Sequence, residues 1–265
     1  ERNRKKYDLQ SKQLKGTEKR DKYKVYGELI NTYGYNLEPG SKELTALNYY
    51  TNEEITIPLD PTQTPGENAQ RYFAKYNKQK RTFEALTELI QETADDIQYL
   101  ESISNALDIA LNEADLAQIK EELMQSGYIR RKHTKKKVKL TSKPMHYISS
   151  DGYDMYVGKN NLQNEELTFS FANGNDWWFH AKGAPGSHVI VKSGGDELPD
   201  RTFEEAGRLA AYYSKNRGAD KVEIDYIQKK HVKKPNGAKP GFVVYYTNYS
   251  LVIDSDISNI KNVQD

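Results

Sequence analysis

DWWFHAKGAPGSHVIV, residues 176 to 191, is the stretch whose pattern decides the fold of the second half of the chain. Two short apolar runs, Trp177 to Ala181 and His188 to Lys192, flank a loop built on Gly183, Pro185 and Gly186. Runs of this length bounded by turn formers predict paired strands rather than a helix. Both tryptophans of the chain and two of its five histidines lie inside the stretch, which marks it as a candidate site.

The pattern stays mixed on either side. Met145 to Ile148 and Tyr153 to Val157 predict a hairpin around the Asp151-Gly152 turn. Asn160 to Asn173 reads two ways: Leu167, Phe169 and Phe171 alternate as in a strand, while Asn164 to Leu167 resembles the start of a helix. Thr202 to Arg217 predicts a helix with Thr202 and Glu205 as a capping box, Phe203, Ala206, Ala210 and Tyr213 as its apolar face, and Gly218 as its stop. Lys221 to Ile227, Gly241 to Thr247 and Ser250 to Ile253 predict strands, the last two joined by a short turn. One main helix among hairpin-connected strands predicts an α+β domain with an antiparallel sheet over residues 144–265.

Upstream the periodicity changes to that of long helices. Residues 1–33 lack proline, and Tyr23, Tyr26, Ile30 and Tyr33 follow a coiled-coil spacing that Gly34 ends. Leu44, Ala46 and Asn48 alternate with Glu43, Thr45 and Leu47, and Ile55 to Ile57 follow a turn at Thr51 to Glu54, predicting a small β element near residues 40–60. Thr64, Pro65 and Glu67 are a helix start, with Thr as N-cap and Glu able to reach back to it. The helix from Glu67 is expected to reach Leu111, about 67 Å at 1.5 Å per residue. Its seam runs through Leu86, Ile90, Thr93, Ile97, Leu100, Ser104, Leu107, Leu111 and Ala114. A shorter helix, Glu113 to Gln125, should stop at Gly127.

Charge predicts how the long helices pair. Residues 1–24 carry ten basic and four acidic residues, a net +6, and residues 84–111 carry seven acidic and no basic residues, a net −7. An antiparallel hairpin that sets Tyr33 near Glu67 and residue 1 near residue 99 brings these blocks together. The expectation is therefore a coiled-coil arm over residues 1–126 with the β element at its tip. In that register Leu100 onward lacks a partner, so the first helix is expected to continue upstream. A basic connector, 127–143, with eight Lys or Arg between Arg130 and Lys143, joins arm and domain.

Composition narrows the chemistry. The chain has 265 residues, 29% of them charged and 36% hydrophobic, which suits an elongated solvated part joined to a smaller core. Without cysteine, disulfides and thiolate metal sites are excluded. No run approaches the roughly 18–20 apolar residues of a membrane span, so no membrane insertion is expected. His180, His188 and Asp176 are a conceivable ligand trio, yet no H-x-x-x-H or H-x-H spacing occurs. Ser187 beside His188 lacks the strand-to-helix elbow of a nucleophile. No cofactor, metal or catalytic centre is expected.

Phosphate recognition fits better. Gly183, Gly186, Gly194 and Gly195 allow close backbone approach, and Lys182, Lys192 and His188 supply donors, although no Walker string is present. A second stretch, KKHVKKPNGAKPG at 229–241, adds Lys229, Lys230, Lys233, Lys234 and Lys239, and no acidic residue occurs from Tyr226 to Ile253. Lysines beside Tyr226, Phe242, Tyr245 and Tyr246 have the ingredients for unpaired RNA, phosphate neutralisation with base stacking. Pro235 and Pro240 bracket the loop and limit its entropy loss on binding. Trp177 and Trp178, adjacent in a strand, must face opposite sides, so one is expected in the core. The candidate RNA contacts are Trp177, Trp178, His180, Lys182, Ser187, His188, Lys229, Lys230, Lys233, Lys234 and Lys239.

At DGYDMYVGKNNLQNEELT, DWWFHAKGAPGSHVIV, EEAGRLAAYYSKNRG and HVKKPNGAKPGFVVYY the chain resembles the NFACT family of ribosome-associated quality-control factors, some of which are described in Gram-positive cocci as fibronectin-binding proteins. These strings resemble that family's RNA-binding module, and residues 48–81 its middle region and second coiled-coil arm. The resemblance implies a cytoplasmic protein whose partners are the large ribosomal subunit RNA and tRNA, supporting C-terminal tailing of stalled nascent chains. It also implies upstream N-terminal domains as partners. The same resemblance raises a second expectation, an adhesin that binds fibronectin or fibrinogen at the cell surface.

Overall fold

The first unit begins with α1 (Arg2–Lys15) and α2 (Asp21–Tyr33), separated by a 3₁₀ turn at Glu18–Arg20. This corrects the single helix expected over residues 1–33. Gly16 is a poor helix former and the Thr17 hydroxyl donates back to the Leu14 carbonyl at 2.6 Å, so the chain steps sideways there. Strands β1 (Glu43–Asn48) and β2 (Glu53–Pro58) pair antiparallel with Leu44 opposite Ile57 and Ala46 opposite Ile55. Leu44, Ala46 and Ile57 then bury their face against Leu29, Ile30 and Tyr72, as the alternation requires. The structure is a computed structural model that describes residues 1–130 and 141–263, and residues 131–140 of the expected connector, 127–143, lie outside the described residues.

Helix α3 (Pro65–Ile109) is 45 residues long. The backbone N–H of Thr64 donates to the Glu67 carboxylate at 2.7 Å and the Glu67 N–H returns to Thr64 Oγ1 at 3.3 Å, the reciprocal pair the sequence predicts. The antiparallel register also agrees with expectation. Gln10 Oε1 meets Thr93 Oγ1 at 3.0 Å, the Arg20 guanidinium lies 4.0 Å from the Phe83 ring centre, and Gly27 faces Phe73.

Gly27 leaves room on α2 for the Phe73 ring of α3. A Cβ added there would lie 2.8–2.9 Å from three atoms of the Phe73 ring, which points at it end-on. Gly27→Ala gains up to about 1 kcal/mol of helix propensity but overpacks by about 1–3 kcal/mol. The expected result is a lower urea midpoint for Gly27→Ala alone and an unchanged or higher one when Phe73→Leu accompanies it.

The chain divides into two compact units at Ile97 and Gln98, inside α3. From there the buried face of α3 is Tyr99, Ile103, Ala106 and Ile109, not the expected seam through Leu100 and Ser104. A straight helix drifts off a strict seven-residue repeat, and α4 (Glu113–Gln125) covers the face so presented with Ile119 and Leu123. Leu107 and Leu111 stay exposed. The expected lack of a partner from Leu100 onward therefore holds for Leu107 and Leu111 and is corrected for the face through Tyr99, Ile103 and Ala106, which α4 covers within the second unit.

The second unit holds a seven-stranded antiparallel sheet. Its strands are β3 (Met145–Ile148), β4 (Asp154–Val157), β5 (Trp177–Ala181), β6 (Val189–Val191), β7 (Val222–Gln228), β8 (Tyr249–Ile253) and β9 (Lys261–Asn262), in the order β8-β7-β5-β6-β4-β3-β9. Register sets Trp178 opposite Ile190 and Ile227, and Phe179 opposite Val189 and Tyr226. Each face therefore has its own core, Phe179, Val189 and Val191 on one side and Trp178, Ile190 and Ile227 on the other. A strand buried on both faces explains why the Val189–Val191 run shows no polar alternation.

Helix α6 (Asp200–Tyr212) covers the first face with Ala206, Leu209 and Ala210. It starts and ends earlier than expected, and Thr202 and Glu205 are not a capping box. Thr202 Oγ1 lies 2.8 Å from Asp151 Oδ2, and Glu205 accepts from the Ser150 N–H at 2.8 Å, so both side chains tie the helix to the β3–β4 turn instead. The ambiguous segment becomes α5 (Asn161–Glu166) running into a wide π turn at Leu167–Phe171. Gly241 to Thr247 is not a strand: its one ladder contact is a bridge between Lys233 and Val244, and β8 pairs with β7.

Candidate nucleic-acid interface

Asp176 closes the turn that launches β5. Its carboxylate accepts from the Asn173 N–H at 2.7 Å, from Lys192 Nζ at 2.5 Å and from the Ser193 N–H at 3.2 Å. These bonds occupy Asp176 in holding β5 to the chain after β6, and among the described residues no three His, Asp or Glu side chains converge as metal ligands. The Asp176 carbonyl accepts from Lys229 N–H at 2.8 Å and the Gly174 carbonyl from Lys230 N–H at 3.0 Å, which seats the start of the lysine loop on this turn.

Behind the turn lies an aromatic and imidazole cluster. Trp178 is 0% exposed, stacks on His180 at 5.6 Å and meets His188 edge-on at 5.1 Å, with Tyr245 at 5.1 Å completing the group. His188 Nδ1 lies 2.8 Å from Thr168 Oγ1. Burial pushes His188 well below its usual range, reinforced by His180, and the Gly241 backbone against its ring opposes only weakly. Burial likewise lowers His180 to about 4, against the opposing pull of the Gly186 backbone and Asp225. Both rings are therefore neutral at physiological pH.

The lysine loop is pinned at several points. Lys234 pairs with Glu165 at 2.7 Å, and the same carboxylate accepts from the Gly241 N–H at 3.2 Å. Gly241 has φ +76° and a Cβ there would come within 3.0 Å of Asn161, so only glycine fits this closure. The Lys239 ammonium lies 4.6 Å from the Tyr99 ring centre and 5.5 Å from that of Tyr128. Lys229 lies 5.9 Å from the Phe169 ring centre. Lys230 and Lys233 are exposed and their ammonium groups meet no partner among the described residues.

The expected contact residues thus fall into groups. Trp178, Ser187 and His188 are buried, so in this conformation they shape the site from beneath rather than present themselves to a ligand. Trp177 is half-buried on the other sheet face against Phe203, Tyr226 and Tyr249, away from His180. Lys182 is exposed and paired with Glu223. Lys229, Lys230, Lys233, Lys234 and Lys239 are brought together by the loop, and only Lys230 and Lys233 are left uncommitted. Sequence reasoning missed the buried polar joint beneath α5, where Lys159 Nζ meets Asp115 Oδ1 at 2.5 Å and Asn160, Asn161 and Gln163 reach Gln118 and Glu122. The run of amides in NNLQN, residues 160–164, was the available signal.

Residues 1–142 match the family model for the NFACT N-terminal and middle domains, and residues 143–246 match that for the NFACT protein RNA binding domain. The chain belongs to the NFACT family. Within it, the chain is 42% identical over 265 residues to the Rqc2 homolog RqcH of Streptococcus pneumoniae, covering 100% of this chain and 48% of that protein. It is 40% identical over 256 residues to the Rqc2 homolog RqcH of Bacillus subtilis, covering 94% of this chain and 44% of that protein. It therefore spans about half the length of the curated relatives it matches. A solved structure described as the C-terminal of the fibronectin/fibrinogen-binding protein from Streptococcus suis superposes with a TM-score of 0.74 at 37% identity, over 97% of this chain and 89% of that one. No described helix of this NFACT chain is long and apolar enough to cross a membrane.

Proposed function

We propose that this chain is the RNA-contacting half of a ribosome quality-control factor, acting in the cytoplasm on the large ribosomal subunit and tRNA to support C-terminal tailing of stalled nascent chains. Residues 98–263 supply the RNA contact through the lysine loop, and the first unit serves as a coiled-coil arm alongside upstream domains. The reading rests on one observation: a pinned, acid-free loop that holds Lys230 and Lys233 exposed and unpaired. Two unpaired cations on a loop whose backbone is held in place are suited to phosphates, and no reacting group is needed for this role. The names of the relatives, Rqc2 homolog RqcH, support the biological setting.

The test is filter binding of tRNA and ribosomal RNA fragments across a salt series. Lys230→Glu with Lys233→Glu is expected to weaken binding at least tenfold near 0.1 M salt and to flatten the slope of log K against log salt by about 0.7–0.9 per lost phosphate contact. An unchanged affinity and slope would remove the lysine loop from the interface. The solved neighbour's description favours a second reading, adhesion to fibronectin or fibrinogen at the cell surface. Saturable binding to immobilised fibronectin that survives high salt and nuclease would support it.

A further inference from the structure

Next to the lysine loop, on the sheet face that carries Trp178, lies a strip of aromatic rings that none of the expected contacts includes. His146 on β3 and Tyr156 on β4 are directly opposite each other, their rings parallel within 3° at 4.5 Å. Phe171, at the end of the π turn, meets Tyr156 edge-on at 4.7 Å and is 41% exposed. The wide turn produces this placement: Phe169 packs against the core below while Phe171 is left at the surface. Turns of this kind cost backbone regularity and recur where a side chain must be re-aimed.

On the far side of the strip Asp154 holds His146 Nε2 at 2.7 Å, and on the side of the loop lie two lysines, Lys192, which is paired with Asp176, and Lys230. The Lys192 ammonium lies 4.8 Å from the Phe171 ring centre. Gly174, three residues beyond Phe171, abuts Lys230, whose Cβ would sit 3.6 Å from a Cβ at Gly174. A half-exposed aromatic strip leading to an unpaired lysine combines the two groups that single strands use, rings for unpaired bases and a cation for phosphate. Another aromatic group, Trp177, Tyr226 and Tyr249, lies on the opposite face of the sheet.

We propose that His146, Tyr156 and Phe171 are a stacking platform for unpaired bases of single-stranded RNA whose phosphates run onto Lys230. The platform rests on the RNA-binding reading above and adds the element that prefers unpaired, base-bearing strands over duplex.

The experiment measures the full chain by fluorescence anisotropy with a labelled single-stranded oligoadenylate, with an abasic oligomer of equal length, and with a duplex. Phe171→Ala is expected to weaken oligoadenylate binding on the order of tenfold, leave abasic binding and the salt slope unchanged, and Phe171→Trp should restore the affinity. Tyr249→Ala, on the opposite face, should bind as the parent does. Equal binding of base-bearing and abasic strands by the parent, no effect of Phe171→Ala, or loss confined to Tyr249→Ala would each overturn the platform while leaving the lysine loop standing. Absence of binding to every nucleic acid would instead overturn the RNA reading itself. Melting temperatures of the variants, expected to match the parent because Phe171 is at the surface, separate lost stacking from lost fold.

Discussion

Asp115→Ala is expected to lower the stability of the second unit by about 3–5 kcal/mol, the cost of leaving a buried charge without its partner. The Asp115 and Lys159 side chains are 1% and 7% exposed. The carboxylate also accepts from Ser142 Oγ at 2.5 Å and from the Leu111 N–H at 2.9 Å, so truncation orphans three donors at once. Burial favours the neutral acid, but the bonds from Lys159, Ser142 and Leu111 outweigh it and hold Asp115 below the usual carboxylate range. Its contribution is therefore complete above the unfolded value near 4 and is lost as pH falls through the lower folded one. The check is urea unfolding followed by circular dichroism, with Lys159→Met added to Asp115→Ala. If the double variant is not more stable than Asp115→Ala, the pair is not the source of the loss.

Acidification should destabilise the same unit well before Asp115 titrates. His180 and His188 are held neutral by burial, and both have an ordinary value of 6.5. Their folded values are depressed, so the unfolded chain binds more protons, and stability falls as pH drops below 6.5. Each contributes about 1.4 kcal/mol per pH unit at most, from 6.5 down to its folded value. The His180 window closes near pH 4, and that of His188 runs well below 6.5 in the same direction. Two such groups together make this slope larger than that of any single carboxylate. Urea midpoints measured between pH 7.5 and 5 should fall steeply in the parent and less steeply in His180→Gln. A flat profile in the parent would contradict the neutral cluster.

Local periodicity carried much of the fold. The alternation of β1, the reciprocal Thr64 and Glu67 pair, the length of α3 and the antiparallel register of α1 and α2 against it were all legible, because each depends on residues close in sequence or on whole blocks of charge. What was not legible depended on partners distant in sequence. Thr202 and Glu205 have capping-box spacing, but the β3–β4 turn offered better partners for both. Gly241 to Thr247 alternates like a strand, yet its closure on Glu165 and Asn161 prevents it from joining β8. The seam of α3 was misread past Ile97 because α4, not an upstream helix, covers it.

The candidate site was legible as composition and not as geometry. Lysine clustering and the two strings at 176–191 and 229–241 were visible, and so was the need for one tryptophan to be inside. Which lysines remain uncommitted was not, since Glu165, Tyr99 and Tyr128 lie 69, 140 and 111 residues from the lysines they engage. Phe171 was hidden by the ambiguity of its segment, because a π turn imitates strand alternation over five residues.

The pinning of the lysine loop by Glu165, Gly241 and the Tyr99 and Tyr128 rings has a kinetic meaning. A loop already set in its final shape has no folding step to complete after encounter, so capture of a polyanion is governed by diffusion and long-range attraction. On the proposed RNA reading, such a surface would sample many sites quickly and release wrong ones quickly, with dwell time set by the slower contacts made around it.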